Sequence, residues 1–469
     1  PELRALVRAA ELRLAAGAFD EVVSIATQFA ARVERIHADP GALDGVRFTM
    51  GLVEGEALLG RGNPGSAVGP LTEALGLVNA VSPDSAGRVR WALVRACMGD
   101  GDLERAADLV CDVLVDYRRG DPEFDEALLV GGRLAYDLGD LELAEARFTV
   151  ASDDLRGRSA EGEARARHGQ ALVLAARSQL RPALRLLSDA LALLGGESAP
   201  EVVAPILSDA IKLECALGRY SVAIGHAEVL LDWTVDRPVD RALASALLGE
   251  ARAAVGSNPS ALKAATAAAE ACGKLGKGLA TDAKLRTARL LCDLGRIKSA
   301  RALLDAMGPL PESVMTDPAG QQLALRARVG ATQDAESARQ LASTAIARRG
   351  PLVPLAAVAL RLDAARALLD SGNPLPARAA AKRGLKAVPG ADPKGVRLAL
   401  LVLLHETGPD DTQVVEAMSR TAQRVAGELT KADAASFRAR SNLATAFEVQ
   451  LAVGPDPETR PLAVPEVPR

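Results

Sequence analysis

Rings are scarce in this chain. It carries 2 Trp, 3 Tyr and 7 Phe in 469 residues, an aromatic share of 3%. A core with so few rings has to be built from Ala and Leu, which suits closely packed helices better than a sandwich or barrel. No alternating run of Val, Ile, Thr and aromatic residues is bounded by hairpin turns, so strands are not expected. The five cysteines, Cys97, Cys111, Cys215, Cys272 and Cys292, are odd in number and far apart. They read as small core residues rather than a disulfide framework, which favours a reducing compartment, here the cytoplasm. No apolar run reaches the roughly 18 residues that span a bilayer. The longest candidates are broken by Arg361 and by His405–Glu406. No signal peptide is visible. The four histidines, His37, His168, His226 and His405, are dispersed, and no C-x-x-C occurs. Neither a metal site nor a cofactor is therefore expected. A net charge of −4 offers no general attraction to nucleic acid or to an anionic membrane.

What the chain does have is a repeat. Leu128–Ala151, LLVGGRLAYDLGDLELAEARFTVA, reads as two amphipathic helices joined at Gly139–Asp140. Ala144 follows the turn glycine by five residues, Phe148 by nine and Ala151 by twelve, and Gly132 precedes it by seven. A small residue at the turn with a small residue five places on recurs at Gly17 (Val22), Gly62 (Ala67), Gly101 (Ala106), Ser178 (Ala183), Gly218 (Ala223), Gly256 (Ala261), Gly295 (Ala300) and Gly372 (Ala377). Weaker turns sit near Thr332–Gln333 and at Gly408. From Gly62 to Gly295 the successive spacings are 39, 38, 39, 40, 38 and 39 residues. So steady a period is the mark of a stacked array, and it overrides the rule of about one domain per 150 residues.

Start signals punctuate the array. Asp39–Pro40, Ser82–Pro83, Asp121–Pro122, Asp317–Pro318 and Asp392–Pro393 place a capping side chain before a proline at the first helical position, and Asn63–Pro64, Asn258–Pro259 and Asn373–Pro374 do so inside the tight turns. The expected organisation is one solenoid over residues 1–451, of about eleven helix–turn–helix repeats. A single capping helix at about Lys431–Leu451 closes it, and a Pro-rich tail or linker follows at 452–469. The chain opens at Pro1 already in helical pattern, which reads as a segment cut from a longer protein or trimmed at its start.

Several short patterns have chemical readings that their context defeats. Gly60-Arg-Gly-Asn-Pro-Gly65 matches G-x-G-x-x-G, but it follows a helix and contains a proline, so it reads as a helix–helix turn. Ser260-Ala-Leu-Lys263 has no KTG or SDN companion. Gly273-Lys-Leu-Gly-Lys-Gly278 lacks the spacing and hydroxyl of a phosphate loop. Asp153–Asp154 and Asp410–Asp411 are better explained as helix caps than as an acid–base pair. No catalytic constellation survives, so an enzyme is not expected.

The units resemble tetratricopeptide repeats. Gly132…Gly139-Asp140-Leu141…Ala144…Phe148…Ala151 and Leu248–Gly249…Gly256…Ala261 follow that family's pattern, and Gly218-Arg219-Tyr220…Ala223 and Gly17-Ala18-Phe19 carry the aromatic after the turn. The resemblance runs from about Glu2 to Leu451. It departs in its longer period, against roughly 34 in the family, and in lacking the closing proline of most units. It implies an all-α fold, a right-handed superhelix of stacked antiparallel helix pairs whose first helices line the concave face. Counting six residues back from each turn gives Glu11, Glu56, Arg95, Arg133, Leu172, Lys212, Glu250, Arg289 and Arg366. Most are charged, so this stripe is not expected to be core. Arg88, Trp91, Tyr136, Arg165 and His168 fall on the same face. A solvated helix face with ordinary arginine content accounts for these residues. The functional reading is a groove formed by Arg88, Trp91, Arg95, Arg133, Tyr136, Arg165 and His168, holding an acidic or carboxylate-ended protein or peptide. The implied function is a non-catalytic interaction scaffold. The alternative is a sensor or autoinhibitory repeat arm of a larger bacterial multidomain regulator or kinase whose catalytic domain lies outside this chain. RNA binding would need a basic channel and a regular base-reading pair per repeat, and neither is visible.

Overall fold

All nine turn positions marked by the sequence ruler take up left-handed backbone. The φ angles of Gly17, Gly62, Gly101, Gly139, Gly218, Gly256, Gly295 and Gly372 lie between 72° and 90°, and Ser178 reaches 65° without being glycine. The residue five places on, from Val22 through Ala144 and Ala223 to Ala377, is 0% exposed in every case. The turn ends one helix with a left-handed residue, and the small side chain lets the next helix lie close against it. Gly132 and Gly249 show how close. A Cβ on Gly132 would sit 2.7 Å from the Phe148 ring, and one on Gly249 would run into Leu290.

This computed structural model describes residues 2–36, 40–276, 280–308, 310, 313–348, 353–388 and 393–448. His37, Asp39, Gly278, Asp392 and the expected tail 452–469 lie outside them. Among the described residues there are helices and two short 3-10 turns but no strand. Contacts divide the chain into two units, Pro1–Asp154 and Leu155–Arg469.

The first unit holds four helix pairs: α1 (Glu2–Ala15) with α2 (Phe19–Val33), α3 (Pro40–Gly60) with α4 (Pro64–Val81), α5 (Ala86–Asp100) with α6 (Leu103–Asp116), and α7 (Pro122–Leu138) with α8 (Leu141–Leu155). Its main core runs through α3–α7, from Phe48 and Leu71 through Leu93 and Val110 to Leu134. The second unit continues with α9 (Ala160–Ala176), α10 (Leu180–Leu193), α11 (Pro200–Leu217), α12 (Tyr220–Trp233), α13 (Pro238–Ala254), α14 (Asn258–Gly273), α15 (Thr281–Asp293), α16 (Ile297–Ala306), α17 (Pro318–Gly330), α18 (Ala335–Ala347), α19 (Pro354–Asp370), α20 (Pro374–Ala387), α21 (Lys394–Glu406), α22 (Thr412–Gly427), α23 (Lys431–Arg438) and α24 (Ala444–Glu448).

Prolines open helices as expected, but the side chain before them seldom caps. Of the described Asx/Ser–Pro pairs only Asp317 accepts from the helix, from Gly320 N–H at 3.0 Å. Asn258 lies inside α14, behind Ser257. Capping falls instead to Asp102, Asp140, Ser159, Asp334, Asp411 and Thr430. Asp153–Asp154 do not cap: they sit in the last turn of α8, where Asp154 pairs with Arg119.

The C-terminal helix differs from expectation. It is not continuous over Lys431–Leu451: α23 stops at Arg438, a 3-10 turn covers Ser441–Leu443, and α24 resumes at Ala444. The break lets Phe437, Leu443 and Ala446, all 0% exposed, enter one apolar cluster.

That cluster also contains Tyr220 and Val255, from the turns of α11/α12 and α13/α14. The second unit therefore bends until its last helices meet its early turns. Tyr220 and Phe437 have ring centroids 6.5 Å apart. The Ser221 hydroxyl donates to Asp433 Oδ2 at 2.6 Å and accepts from Thr430 N–H at 3.1 Å. Arg440 donates to the carbonyl of Ala254, the last residue of α13, at 2.5 Å. A Cβ on Gly218 would lie 2.9 Å from Val425 of α22, and one on Gly395 of α21 would lie 2.7 Å from the Tyr220 hydroxyl.

Candidate functional site

In the first unit Arg88, Trp91 and Arg95 stand on α5 and Arg133 and Tyr136 on α7, at the positions counted back from the turns. They share a face because residues three and four apart on a helix lie side by side. Arg88 on α5 binds Glu56 on α3 through two hydrogen bonds, Nε–Oε1 at 2.9 Å and Nη2–Oε2 at 2.7 Å. That bidentate bond, more than the residual burial opposing it, holds the guanidinium firmly charged. Trp91 is half-buried against the α3–α7 core. Arg95, one turn further along α5, is exposed and has no ion-pair partner among the described residues. Arg133 pairs with Asp137 at 2.9 Å and lies 5.8 Å from the Tyr136 ring centroid. Tyr136 itself is only 8% exposed, so it supports Arg133 from below rather than offering free surface.

Arg165 and His168 stand on α9, in the second unit. Arg165 is half-buried. His168 Nε2 is 2.8 Å from Asp209 Oδ2 on α11, and this contact opens a chain of charges along the unit's first helices. Lys212 Nζ lies 3.1 Å from Asp209 and 3.0 Å from Asp282 on α15. Arg286 joins Asp282 at 2.9 Å to Glu250 on α13 at 2.7 Å. One turn along α15, Arg289 binds Asp363 on α19 at 2.7 Å, and the same carboxylate takes Arg328 of α17 at 2.9 Å. Arg328 reaches back to Asp293 at 2.7 Å. Asp363 is the most enclosed of these, with a side chain 1% exposed.

Burial alone would push these carboxylates toward their neutral form, but the cations prevail. Lys212 and then His168 hold Asp209 well below the usual carboxylate range, and Arg286 with Lys212 does the same for Asp282. Burial works equally against Lys212 and Arg286. The neighbouring carboxylates, Asp209 first for Lys212 and Asp282 first for Arg286, nevertheless keep both firmly protonated. The groups stay charged because each has its opposite within hydrogen-bond reach. The buried Cys292 thiol is pushed up to about 12, which marks it as an inert core residue.

The inward register was legible in part. Lys212, Glu250 and Arg289 were placed on this face by counting back from the turns, and Arg366 there pairs with Glu406 of α21. Asp209, Asp282, Arg286, Arg328 and Asp363 were missed. The available signal was charge spaced by three or four residues on one helix, as in Asp209/Lys212 and Asp282/Arg286/Arg289. Among the described residues no group of three or more His, Cys, Asp or Glu side chains is arranged to hold a metal ion. No described helix is long and apolar enough to cross a membrane.

No protein-family model matches the chain, and no curated protein matches it. Among solved structures it is similar to the nearly identical TPR-like repeats of a putative kinesin light chain from Podosopora anserina. The identity is 19% over 41% of this chain and 94% of that one, with a TM-score of 0.34. It is also similar to a tetratricopeptide repeat protein from Parabacteroides merdae, at 16% identity over 59% and 98% of the two chains and a TM-score of 0.40. NprR in complex with its cognate peptide NprX is similar at 11% identity over 74% and 97%, with a TM-score of 0.44. By its own helix pairing and turn geometry, the chain is an all-α solenoid of tetratricopeptide-like helix pairs.

Proposed function

We propose that the chain is a non-catalytic scaffold that holds an acidic or carboxylate-ended segment of another protein. Its receiving surface in the first unit is the stripe Arg88, Trp91, Arg95 and Arg133, backed by Tyr136. The observation that carries this reading is Arg95. It is a guanidinium on an inward-counted position, exposed and without an ion-pair partner among the described residues, between two arginines already fixed by carboxylates. Arg is suited to the role because its planar fork binds a carboxylate through two parallel hydrogen bonds. Trp91 adds the apolar area on which interface anchors depend. Arg165 and His168 enter the proposal only as part of the second unit's own charged face.

The test is binding of peptides with acidic C-termini to the full chain, with and without Arg95→Glu and Arg133→Glu. Each charge-assisted hydrogen bond is worth about 1.5–3 kcal/mol, so the double variant should bind at least tenfold more weakly while its helicity is unchanged. Raising salt should weaken the parent more than the variant. Undiminished binding by the charge-reversed protein would remove the stripe from consideration.

A further inference from the structure

The inner face of the second unit is occupied by its own charges. Lys212 reaches Asp282 at 3.0 Å and Arg289 reaches Asp363 at 2.7 Å, and each pair skips one helix pair, from α11 to α15 and from α15 to α19. Side chains reach that far only where a stack of helix pairs curves tightly inward. The curvature is held at the seam where α23 lies across the turns of α11/α12 and α13/α14. At this seam α23 and Arg440 supply one apolar plug, Phe437, and two polar latches, Ser221–Asp433 and Arg440 to the Ala254 carbonyl, beside the packing of α21 and α22 on α11, where Gly395 and Val425 meet Tyr220 and Gly218. The closed face is not fully satisfied. Glu250 Oε1 and Arg328 Nε are buried without a hydrogen-bond partner among the described residues, each at a desolvation cost.

A stack of repeats opens locally, because each unit contacts mainly its neighbours. Releasing α23 removes the plug and both latches and leaves the α21/α22 packing as the remaining hold on the superhelical turn; widening then separates first the pairs that skip a repeat. We propose that α23 is a releasable clasp that keeps the second unit self-inhibited. With it shut, Asp282 and Asp363 occupy Lys212 and Arg289 from a repeat away; with it open, those two cations receive an acidic segment of a partner protein. This rests on the reading of the chain as a scaffold for acidic segments. While the clasp is shut, the internal carboxylates compete at the high effective concentration of tethered groups, which a free peptide does not match.

The experiment uses the full chain carrying Arg95→Glu and Arg133→Glu, so that the first unit's stripe is silent, with Cys111→Ser to remove the exposed thiol and Cys215→Ala to remove the thiol packed beside the seam. The probe is a fluorescein-labelled octaglutamate peptide. Ser221→Cys with Asp433→Cys places a disulfide across the latch. The oxidised protein should bind the probe at least tenfold more weakly than the same protein after reduction. Phe437→Ala, which removes the plug, should bind it at least tenfold more tightly than its parent, and adding Lys212→Ala and Arg289→Ala should abolish that gain. Equal binding by the oxidised and reduced proteins overturns the clasp, and a gain that survives loss of the two cations overturns the site. If Phe437→Ala does not fold, the oxidised–reduced comparison alone decides. Failure of the first unit's stripe is read separately, from Arg95→Glu and Arg133→Glu without the seam changes.

Discussion

The two units use one repeat grammar and arrive at opposite inner faces. In the first, the ion pair on the inward stripe joins adjacent helix pairs, Glu56 of α3 to Arg88 of α5, and Arg95 is left open to solvent. In the second, pairs skip a repeat, and even the half-exposed Asp282 is tied to two cations. Residue type does not make the difference, since both faces carry arginine at the same count from the turn. What differs is how far a side chain reaches along its own stack. A charge at an inward position is available to a partner only where the repeats do not curve enough to supply a carboxylate internally.

The largest effect should come from breaking the second unit's ladder at its most enclosed point. Asp363→Ala leaves Arg289 and Arg328 facing each other in a site with almost no water access. Removing one partner of a buried pair costs about 3–5 kcal/mol. Chemical denaturation should show that loss in the second unit, whereas Glu56→Ala, which frees only the exposed Arg88 guanidinium, should change stability by less than about 1 kcal/mol. Equal effects at the two sites would dissolve the contrast. A middle-sized effect should come from Ala144→Leu, which overpacks the α7/α8 pair at a position with 0% exposure and costs roughly 1–3 kcal/mol. Because repeats communicate mainly with neighbours, hydrogen exchange should rise around α7 and α8 and stay unchanged in α19–α23. Spread of the damage into α19–α23 would count against independent units. The smallest change should be favourable. Ser178 holds φ at 65° where the eight other marked turns use glycine, and left-handed backbone costs an L-residue about 1–2 kcal/mol. Ser178→Gly, less the extra chain entropy that glycine loses on folding, should stabilise the α9/α10 turn by up to about 1 kcal/mol. A lower melting temperature would show that the serine side chain has a role there.

The local part of this fold was legible because it is written in short range. A turn residue and a small side chain five places on are fixed by left-handed backbone and helix contact within one repeat, and the ruler found all nine. The two weaker turns, at Thr332–Gln333 and Gly408, are the ones that lack a left-handed residue. The capping pattern was over-read: an Asx–Pro pair fixes where a helix begins, but does not oblige the Asx side chain to turn back and accept. The seam and the ladder were illegible for a different reason. Ser221 and Asp433 are 212 residues apart, Arg289 and Asp363 are 74 apart, and no periodicity within a repeat records such encounters. Even the broken C-terminal helix follows from this, since its interruption at Ala439–Arg440 makes sense only once Ala254 is known to lie beneath it.

The seam also limits how this protein could have grown. Helix-pair arrays lengthen by duplicating a unit, and an array with free ends tolerates the change because each new pair needs only a neighbour. Once α23 must land on the turns of α11/α12 and α13/α14, the number of pairs between them becomes part of the fit. One extra unit of about 39 residues would carry Phe437 past its seat beside Tyr220, and one fewer would leave it short. Closure converts an open-ended count into a fixed one, so insertions and deletions of whole repeats should be far less tolerated between α13 and α21 than in a stack whose ends never meet.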